Sequence, residues 1–159
     1  MPRALRTGTG RGRVLGVDAC RRGWIAVAAD DAVAGAYCAA DIQALVTRAQ
    51  ADGPLAVVAV DMPIGLADRG QRRADLLARA EIGPLWASVF MTPVREALLA
   101  ADHATASAIN RRLTGHGISI QAFALKPKLL EVERWARAAA VRVVESIRRS
   151  VSRGWRAVR

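Results

Sequence analysis

Two short apolar segments of the sequence each end in an aspartate. Val14-Leu15-Gly16-Val17 leads into Asp18, and the run from Leu55 to Val60 leads into Asp61. Such runs are typical of strands, and the continuous second run indicates a strand that is covered on both faces. If the two strands are parallel neighbours, about 4.8 Å apart, both carboxylates lie at the same end of the sheet.

Two carboxylates at this spacing repel each other unless a cation neutralises them. Oxygen ligands favour Mg²⁺ or Mn²⁺, and in nucleases these ions activate water and stabilise the phosphate. Ligands of open α/β sheets also bind at the carboxyl ends of the strands. We therefore take Asp18 and Asp61 as candidate metal ligands and catalytic residues. The simpler alternative is that each aspartate caps a loop or turn.

The elements around these aspartates predict an α/β fold. Three closely spaced strands (14–18, 24–29 and 32–38) favour an antiparallel meander. Asp41 is a good N-cap for a helix to about residue 50. A helix between the meander and the strand 55–60 implies that this strand pairs in parallel. The remaining predicted elements are helices at about 71–81, 92–101, 105–113 and 119–139 and a strand at 142–145. Thr92 is the predicted N-cap of the second helix, and Pro127 kinks or splits the last one.

The net charge of +10 comes almost entirely from the two ends of the chain. Residues 1–13 hold four arginines and no acid, and residues 146–159 hold five arginines and no acid. The rest has 15 basic and 14 acidic residues, a net charge of +1. Basic ends bind polyanions weakly and without sequence preference. The charge alone therefore does not make the folded part a nucleic-acid binder.

Several classes of protein are excluded by the composition. No apolar run reaches the roughly 20 residues that a membrane span needs, and no apolar segment follows the first arginines as in a secretory signal. The two cysteines, Cys20 and Cys38, are too few for a disulfide scaffold and lack the spacing of metal ligands. We expect reduced thiols in a cytoplasmic protein without a membrane partner.

The order of several short motifs resembles the DUF429 family, a group of predicted RNase H-like nucleases. The motifs cover about residues 14–145. They are Gly16-Val17-Asp18-Ala19-Cys20-Arg21-x-Gly23-Trp24, Asp61-Met62-Pro63-Ile64-Gly65-Leu66, Arg72-Arg73-x-Asp75, Gly83-Pro84, Ser88-Val89-Phe90, Thr92-Pro93 and Gln121-Ala122-x-Ala124-Leu125-x-Pro127-Lys128. The chain departs from the family's pattern at Arg22, Trp86 and Met91, which puts the local loops in doubt but not the fold.

The resemblance implies an RNase H-like mixed sheet, with three antiparallel strands followed by parallel strands and helices. It also implies Asp18 and Asp61 as the acids that hold Mg²⁺ or Mn²⁺. Nucleic acid is the partner that this activity implies. The candidates for phosphate contact are Arg21, Arg72, Arg73, Lys126 and Lys128. For the last four, exposed surface charges are the simpler reading. The long helix could also turn Glu131 or Glu133 towards the site, but a solvated helix face is the simpler reading for both.

The end of the sequence departs most from the family. Family members continue past residue 145 with further strands and a helix that carries another acid. Here residues 146–150 read Ser-Ile-Arg-Arg-Ser, and one possible set of codons for the family's Val-His-Pro-Glu-Val segment encodes these residues when it is read one base later. We therefore expect a basic N-terminal extension (1–13), an incomplete RNase H-like domain (14–145) and an aberrant arginine-rich tail (146–159) of a frameshifted, truncated gene. Sequencing downstream in the other frames tests this hypothesis.

Three classes of function stay open. The first is a metal-dependent nuclease. The second is a non-catalytic fragment, or a phosphate-binding domain without nuclease activity, with association through an open sheet edge. The third is an actin-like phosphotransferase, but the turn at Arg21-Arg22 has one glycine, and a second, repeated domain does not fit into 159 residues.

Overall fold

The apolar strand segments of the sequence pair into one sheet in the computed structural model, which describes residues 12–30, 34–84 and 89–146. The chain divides into a sheet unit (described residues of 1–64 and 131–145) and a helical unit (described residues of 65–130 and 146). Most of the predicted N-terminal extension and nearly all of the predicted C-terminal tail lie outside the described residues. Trp86 and Ser88 also lie outside them.

The sheet has five strands in the order β3-β2-β1-β4-β5. The first three pair antiparallel, whereas β4 pairs in parallel with both β1 and β5. This arrangement confirms the predicted α/β class, the meander and the parallel strands, and it leaves β3 and β5 at the edges. The strands are β1 (Val14–Cys20), β2 (Gly23–Ala29), β3 (Ala34–Ala39), β4 (Val57–Val60) and β5 (Arg142–Glu145).

One face of the sheet is packed and the other is largely open. Along β1, Leu15 and Val17 are buried, and their register partners on β2, Ala28 and Ala26, are buried beside them. The alternate residues of these strands face the other way, because side chains alternate along a strand. They include Val14, Ile25 and Val27, with exposed fractions of 42%, 46% and 54%.

The strand β4 is less covered than its apolar run predicts. Val58 and Val60 are fully buried, but Val57 and Ala59 are only half-buried. One face of β4 is therefore fully covered and the other only partly, so the expectation of a strand covered on both faces holds in part. A continuous apolar run does not report which face of the sheet meets a covering layer.

The helix α1 (Ile42–Ala51) covers the packed face with Ile42, Leu45, Val46 and Ala49. It begins after Asp41, whose carboxylate accepts the Ala44 N–H at 2.7 Å, so the predicted cap is confirmed. This bond satisfies one of the N–H groups that a helix start leaves without an intrahelical partner.

A second acid holds the same region from a distant part of the chain. Glu131 lies on the helix α6 (Lys126–Ala138). Its Oε1 accepts the Trp24 indole N–H at 2.9 Å and the Ile42 backbone N–H at 2.7 Å. Glu133 is buried and paired with Arg137 at 2.6 Å. The expectation of a solvated face for these two glutamates is therefore wrong, because Glu131 bonds two other segments of the sheet unit and Glu133 is buried.

The helical unit contains α2 (Arg73–Ile82), α3 (Arg95–Leu99), α4 (His103–Thr114), α5 (Ile120–Ala124) and the start of α6. Its buried cluster combines short side chains from three of these helices with Val94 and Ile118. Alanine at these positions lets helices approach closely and leaves little room for cavities. The cluster is Val94, Ala97, Ala106, Ile118 and Ala122.

Two helix starts differ from the prediction. Thr92 does not cap a helix, because its N–H donates to Asp75 and its hydroxyl accepts from Arg72, and α3 begins only at Arg95. The start of α4 is capped by Asp102 instead. The backbone N–H of Thr105, and then its hydroxyl, hold the pKa of Asp102 below its ordinary value. The cap therefore contributes its full stability at pH values above the ordinary pKa of an aspartate. This contribution is lost as the pH falls through the lowered pKa of Asp102.

Pro127 splits the long predicted helix rather than kinking it. The helix α5 ends at Ala124, and α6 begins again at Lys126. Proline is tolerated here because the first turn of a helix has N–H groups without intrahelical partners. The first helical bond of α6 then runs from the Leu129 N–H to the Leu125 carbonyl at 2.9 Å.

Replacing Glu131 tests its role in the sheet unit. Glu131→Ala removes the acceptor of two N–H groups, one of them on the fully buried Trp24. We expect a loss of about 1–3 kcal/mol in the free energy of unfolding, measured by urea denaturation. Glu131→Gln keeps an acceptor oxygen and should lose less. Equal stability of Glu131→Ala and the wild type would contradict this role.

Candidate functional site

Asp18 and Asp61 occupy equivalent positions on neighbouring parallel strands. Val17 of β1 is the register partner of Val60 of β4, and each aspartate directly follows one member of this pair. The Asp61 N–H donates to the Val17 carbonyl at 2.8 Å, which extends the ladder beyond β4. The structure thus brings the two predicted site residues together at the carboxyl ends of β1 and β4.

Both aspartates belong to the open face of the sheet. Asp18 follows the buried Val17, and Asp61 follows the buried Val60, so alternation turns both away from the packed face. Both are half-buried. The register partner of Asp18 on β2 is the exposed Ile25. The pair therefore lies on the face of the sheet that carries the exposed side chains of β1 and β2.

The turn that follows β1 supplies positive charge at the same end of the sheet. Arg21 and Arg22 are exposed in this turn. Gly23 closes it with a φ of 144°, and an added Cβ would lie 2.1 Å from the Ala39 carbonyl oxygen. Only glycine fits this close approach of β2 to the end of β3. The turn therefore fixes two guanidinium groups one and two residues beyond the end of β1.

A third acid supports the loop that carries Asp61. Glu145 is the last residue of β5 and the register partner of Val60. Its Oε2 accepts the Ile64 N–H at 3.1 Å, three residues beyond Asp61. Because Val60 faces the packed side, Glu145 shares that side and not the face of Asp18. It positions the loop and is not a third member of the pair.

The donor set of the pair fits a hard divalent cation. Carboxylate oxygens suit Mg²⁺ and Mn²⁺, and Mg²⁺ is commonly held by one or two protein carboxylates with water completing its octahedron. Within residues 12–30, 34–84 and 89–146, no group of three or more His, Cys, Asp or Glu residues could hold a metal ion. The pair alone is therefore the candidate metal centre, and Cys20 and Cys38 are free thiols.

Comparison with known proteins identifies a family. Residues 16–147 match the family described as "Protein of unknown function (DUF429)". The chain belongs to DUF429. No curated protein and no solved structure gives a significant match. In the part of this DUF429 protein that the structure describes, no helix has the length and apolar character required to cross a membrane.

Two of the motifs that resemble DUF429 meet in a buried network of the helical unit. The Arg72 Nη1 donates to Asp75 Oδ1 at 2.9 Å and to the Thr92 hydroxyl at 3.0 Å. The other Asp75 oxygen accepts the Thr92 N–H at 2.9 Å. The side chains of Arg72 and Asp75 are only 7% and 4% exposed. The expectation of an exposed surface charge is wrong for Arg72, which holds two distant segments together.

The other predicted phosphate-binding residues of this DUF429 protein differ in their surroundings. Arg73 is exposed at the start of α2. Lys126 donates to the Ala100 carbonyl at 2.5 Å and lies over the ring of Phe123. Lys128 is half-buried. Phosphate contact by these residues stays a prediction, and Lys126 has a structural role besides.

The spacing of the motifs carried a signal for the network that sequence reasoning missed. An arginine and an aspartate three residues apart can pair across one helical turn, as Arg72 and Asp75 do. The pattern of charged and apolar residues at the start of α2 does not indicate that this pair is buried. The partner at Thr92 could not be found from the sequence, because it lies 17 residues from Asp75 along the chain.

Breaking the Arg72–Asp75 pair should destabilise the protein strongly. Asp75→Ala leaves the buried guanidinium without its carboxylate, which typically costs roughly 3–5 kcal/mol. Unfolding by guanidinium chloride measures this loss. The matched control is Arg73→Gln, on the exposed neighbour, which should change stability by no more than about 0.5 kcal/mol. A stable Asp75→Ala variant would show that the pair does not hold this unit together.

Proposed function

We propose that this DUF429 protein is a metal-dependent phosphodiesterase of RNase H-like fold that acts on nucleic acid. The observation that carries the proposal is the register of Asp18 and Asp61 at the carboxyl ends of β1 and β4. Their position on the open face of the sheet, beside Arg21, supports access by a large anionic substrate. The fold alone would be an analogy, so the proposal rests on this pair.

The order of the strands supports the RNase H-like part of the proposal. The resemblance implies a meander followed by parallel strands, and the sheet has a meander with β4 in parallel beside β1 and β5 in parallel beside β4. The first and central strand carries one acid, and its parallel neighbour carries the other. This is the arrangement in which the resemblance assigns metal-holding roles to Asp18 and Asp61.

Each residue of the proposed site has a distinct role. Asp18 and Asp61 hold one or two divalent ions, which when bound supply charge neutralisation and activation of water toward the phosphate. Arg21, at the same end of the sheet, binds a phosphate oxygen of the substrate backbone. Glu145 keeps Asp61 in place through the Ile64 N–H.

A second candidate is phosphate binding without cleavage. It is favoured by the absence, among the described residues, of any group of three acids able to hold a metal. Two carboxylates are enough to bind a divalent ion, and the ion can then bind a phosphate, but further ligands restrict the geometry of an in-line displacement. Both candidates bind the metal ion, and only the nuclease cleaves its substrate.

Calorimetric titration with Mn²⁺ tests the metal site. We expect saturable binding by the wild type and at least about tenfold weaker binding, or about 1.4 kcal/mol, by Asp18→Asn and Asp61→Asn. Each substitution replaces a negatively charged carboxylate by an uncharged amide of nearly the same shape. Asp30→Asn is the matched control, because Asp30 follows β2 at the opposite end of the same sheet. Lack of Mn²⁺ binding by the wild type would refute both candidates.

Cleavage assays then separate the two candidates. Labelled single-stranded DNA and RNA, duplex DNA and an RNA–DNA hybrid are incubated with Mg²⁺ or Mn²⁺ and with EDTA. A nuclease cleaves at least one substrate only with metal, and Asp18→Asn and Asp61→Asn fall to the EDTA level while Asp30→Asn does not. Metal binding without cleavage of any substrate would instead favour the phosphate-binding candidate.

A further inference from the structure

The helical unit contains a cleft whose described lining includes neither Asp18 nor Asp61. Its volume is about 480 Å³, within the range of small-molecule sites in proteins. Its described lining has an apolar part that includes Phe90, Met91 and Ile118, called here the apolar wall, and a polar part that includes Gln71, Arg79 and His116, called the polar wall. None of the described residues lining it is a carboxylate. The described walls thus combine hydrogen-bonding groups with positive charge and lack opposing negative charge.

Two guanidinium groups and an imidazole accompany the polar wall. The guanidinium of Arg79, on α2, and the imidazole of His116 line the cleft itself. The second guanidinium lies at its rim, because a Cβ added at Gly117 would come within 3.1 Å of Arg111 Nη2. The hydroxyls of Thr114 and Ser119 also line the cleft. Cations together with hydroxyl donors match an anion with several oxygens.

The loop that presents His116 is held by a buried side chain. Asn110 is 6% exposed. Its Nδ2 donates to the His116 carbonyl at 2.8 Å and to the Thr114 hydroxyl at 3.2 Å. Its Oδ1 accepts the Val94 N–H at 3.0 Å. A buried amide that uses its bonds on an exposed loop fixes that loop before any ligand arrives, which lowers the entropic cost of binding.

The imidazole ring of His116 is oriented as well. Its Nδ1 lies 3.1 Å from the Thr114 carbonyl and 3.3 Å from Gln71 Nε2. Both ring contacts with described residues are made by Nδ1, so Nε2 is the ring atom left for a ligand. A carbonyl that fixes one nitrogen of a histidine is a common way to present the other nitrogen to a ligand.

We propose that this cleft binds a small organic phosphate of about the size of a nucleoside monophosphate. The phosphate lies between Arg79 and His116, and the organic part lies against the apolar wall at Phe90 and Ile118. A phosphate monoester has the oxygens that the polar wall can bind, and inorganic phosphate would leave the apolar wall without contact. The inference uses neither Asp18 nor Asp61 and does not depend on the proposed nuclease activity.

Calorimetric titration of the full chain with adenosine 5′-monophosphate tests the proposal. We expect saturable binding by the wild type and about tenfold weaker binding by His116→Gln and by Arg79→Gln. His116 is exposed, so its replacement leaves the buried cluster intact, and circular dichroism checks both folds. The matched control is Arg73→Gln, on the same helix as Arg79 but outside the cleft, which should bind like the wild type.

Two further ligands and one further variant make each outcome decisive. Inorganic phosphate and adenosine should each bind more weakly than the monophosphate, because each reaches one wall only. Equal affinity for adenosine would overturn the role of the phosphate, and equal affinity for inorganic phosphate would overturn that of the apolar wall. Lack of monophosphate binding by the wild type would overturn the site itself. Asp18→Asn should keep full monophosphate binding, so failure of the nuclease proposal does not affect this test.

Discussion

The parallel pairing of β1 with β4 is the constraint on which the candidate site depends. It places Val17 opposite Val60, and the bond from the Asp61 N–H to the Val17 carbonyl continues the same ladder. A slip of one residue would turn Asp61 toward the packed side, because side chains alternate along a strand. The buried Leu15, Val17, Val58 and Val60 oppose such a slip, since it would expose their side chains. The apolar core of the sheet thereby sets the position of two charged groups.

The sequence was sufficient for the features that depend on short-range pattern. Apolar runs marked β1 and β4, the acid at the end of each run was visible, and a helix between β3 and β4 required a parallel pairing. The cap at Asp41 also followed from local chemistry, since its carboxylate bonds a residue only three positions away. These features need no knowledge of distant contacts.

Features that depend on distant partners were missed. Thr92-Pro93 has the form of a helix start, but a buried carboxylate on another helix takes the Thr92 N–H. Glu131 looks like a solvated residue of an amphipathic helix, but two N–H donors, 89 and 107 residues earlier, draw it inward. Hydropathy assigns charged groups to the surface, and buried charges occur where enough donors or opposite charges compensate their desolvation. Such compensation becomes visible only in three dimensions.

The one-sided packing of the sheet also bears on how stability varies with temperature. Val14, Ile25 and Val27 keep about half of their surface in water after folding. Exposure of apolar surface on unfolding is what raises the heat capacity of the unfolded chain. A sheet with one open face contributes less to that change than a sheet of the same size enclosed between two layers. The contribution of this sheet to the free energy of unfolding therefore varies less with temperature than that of an enclosed sheet.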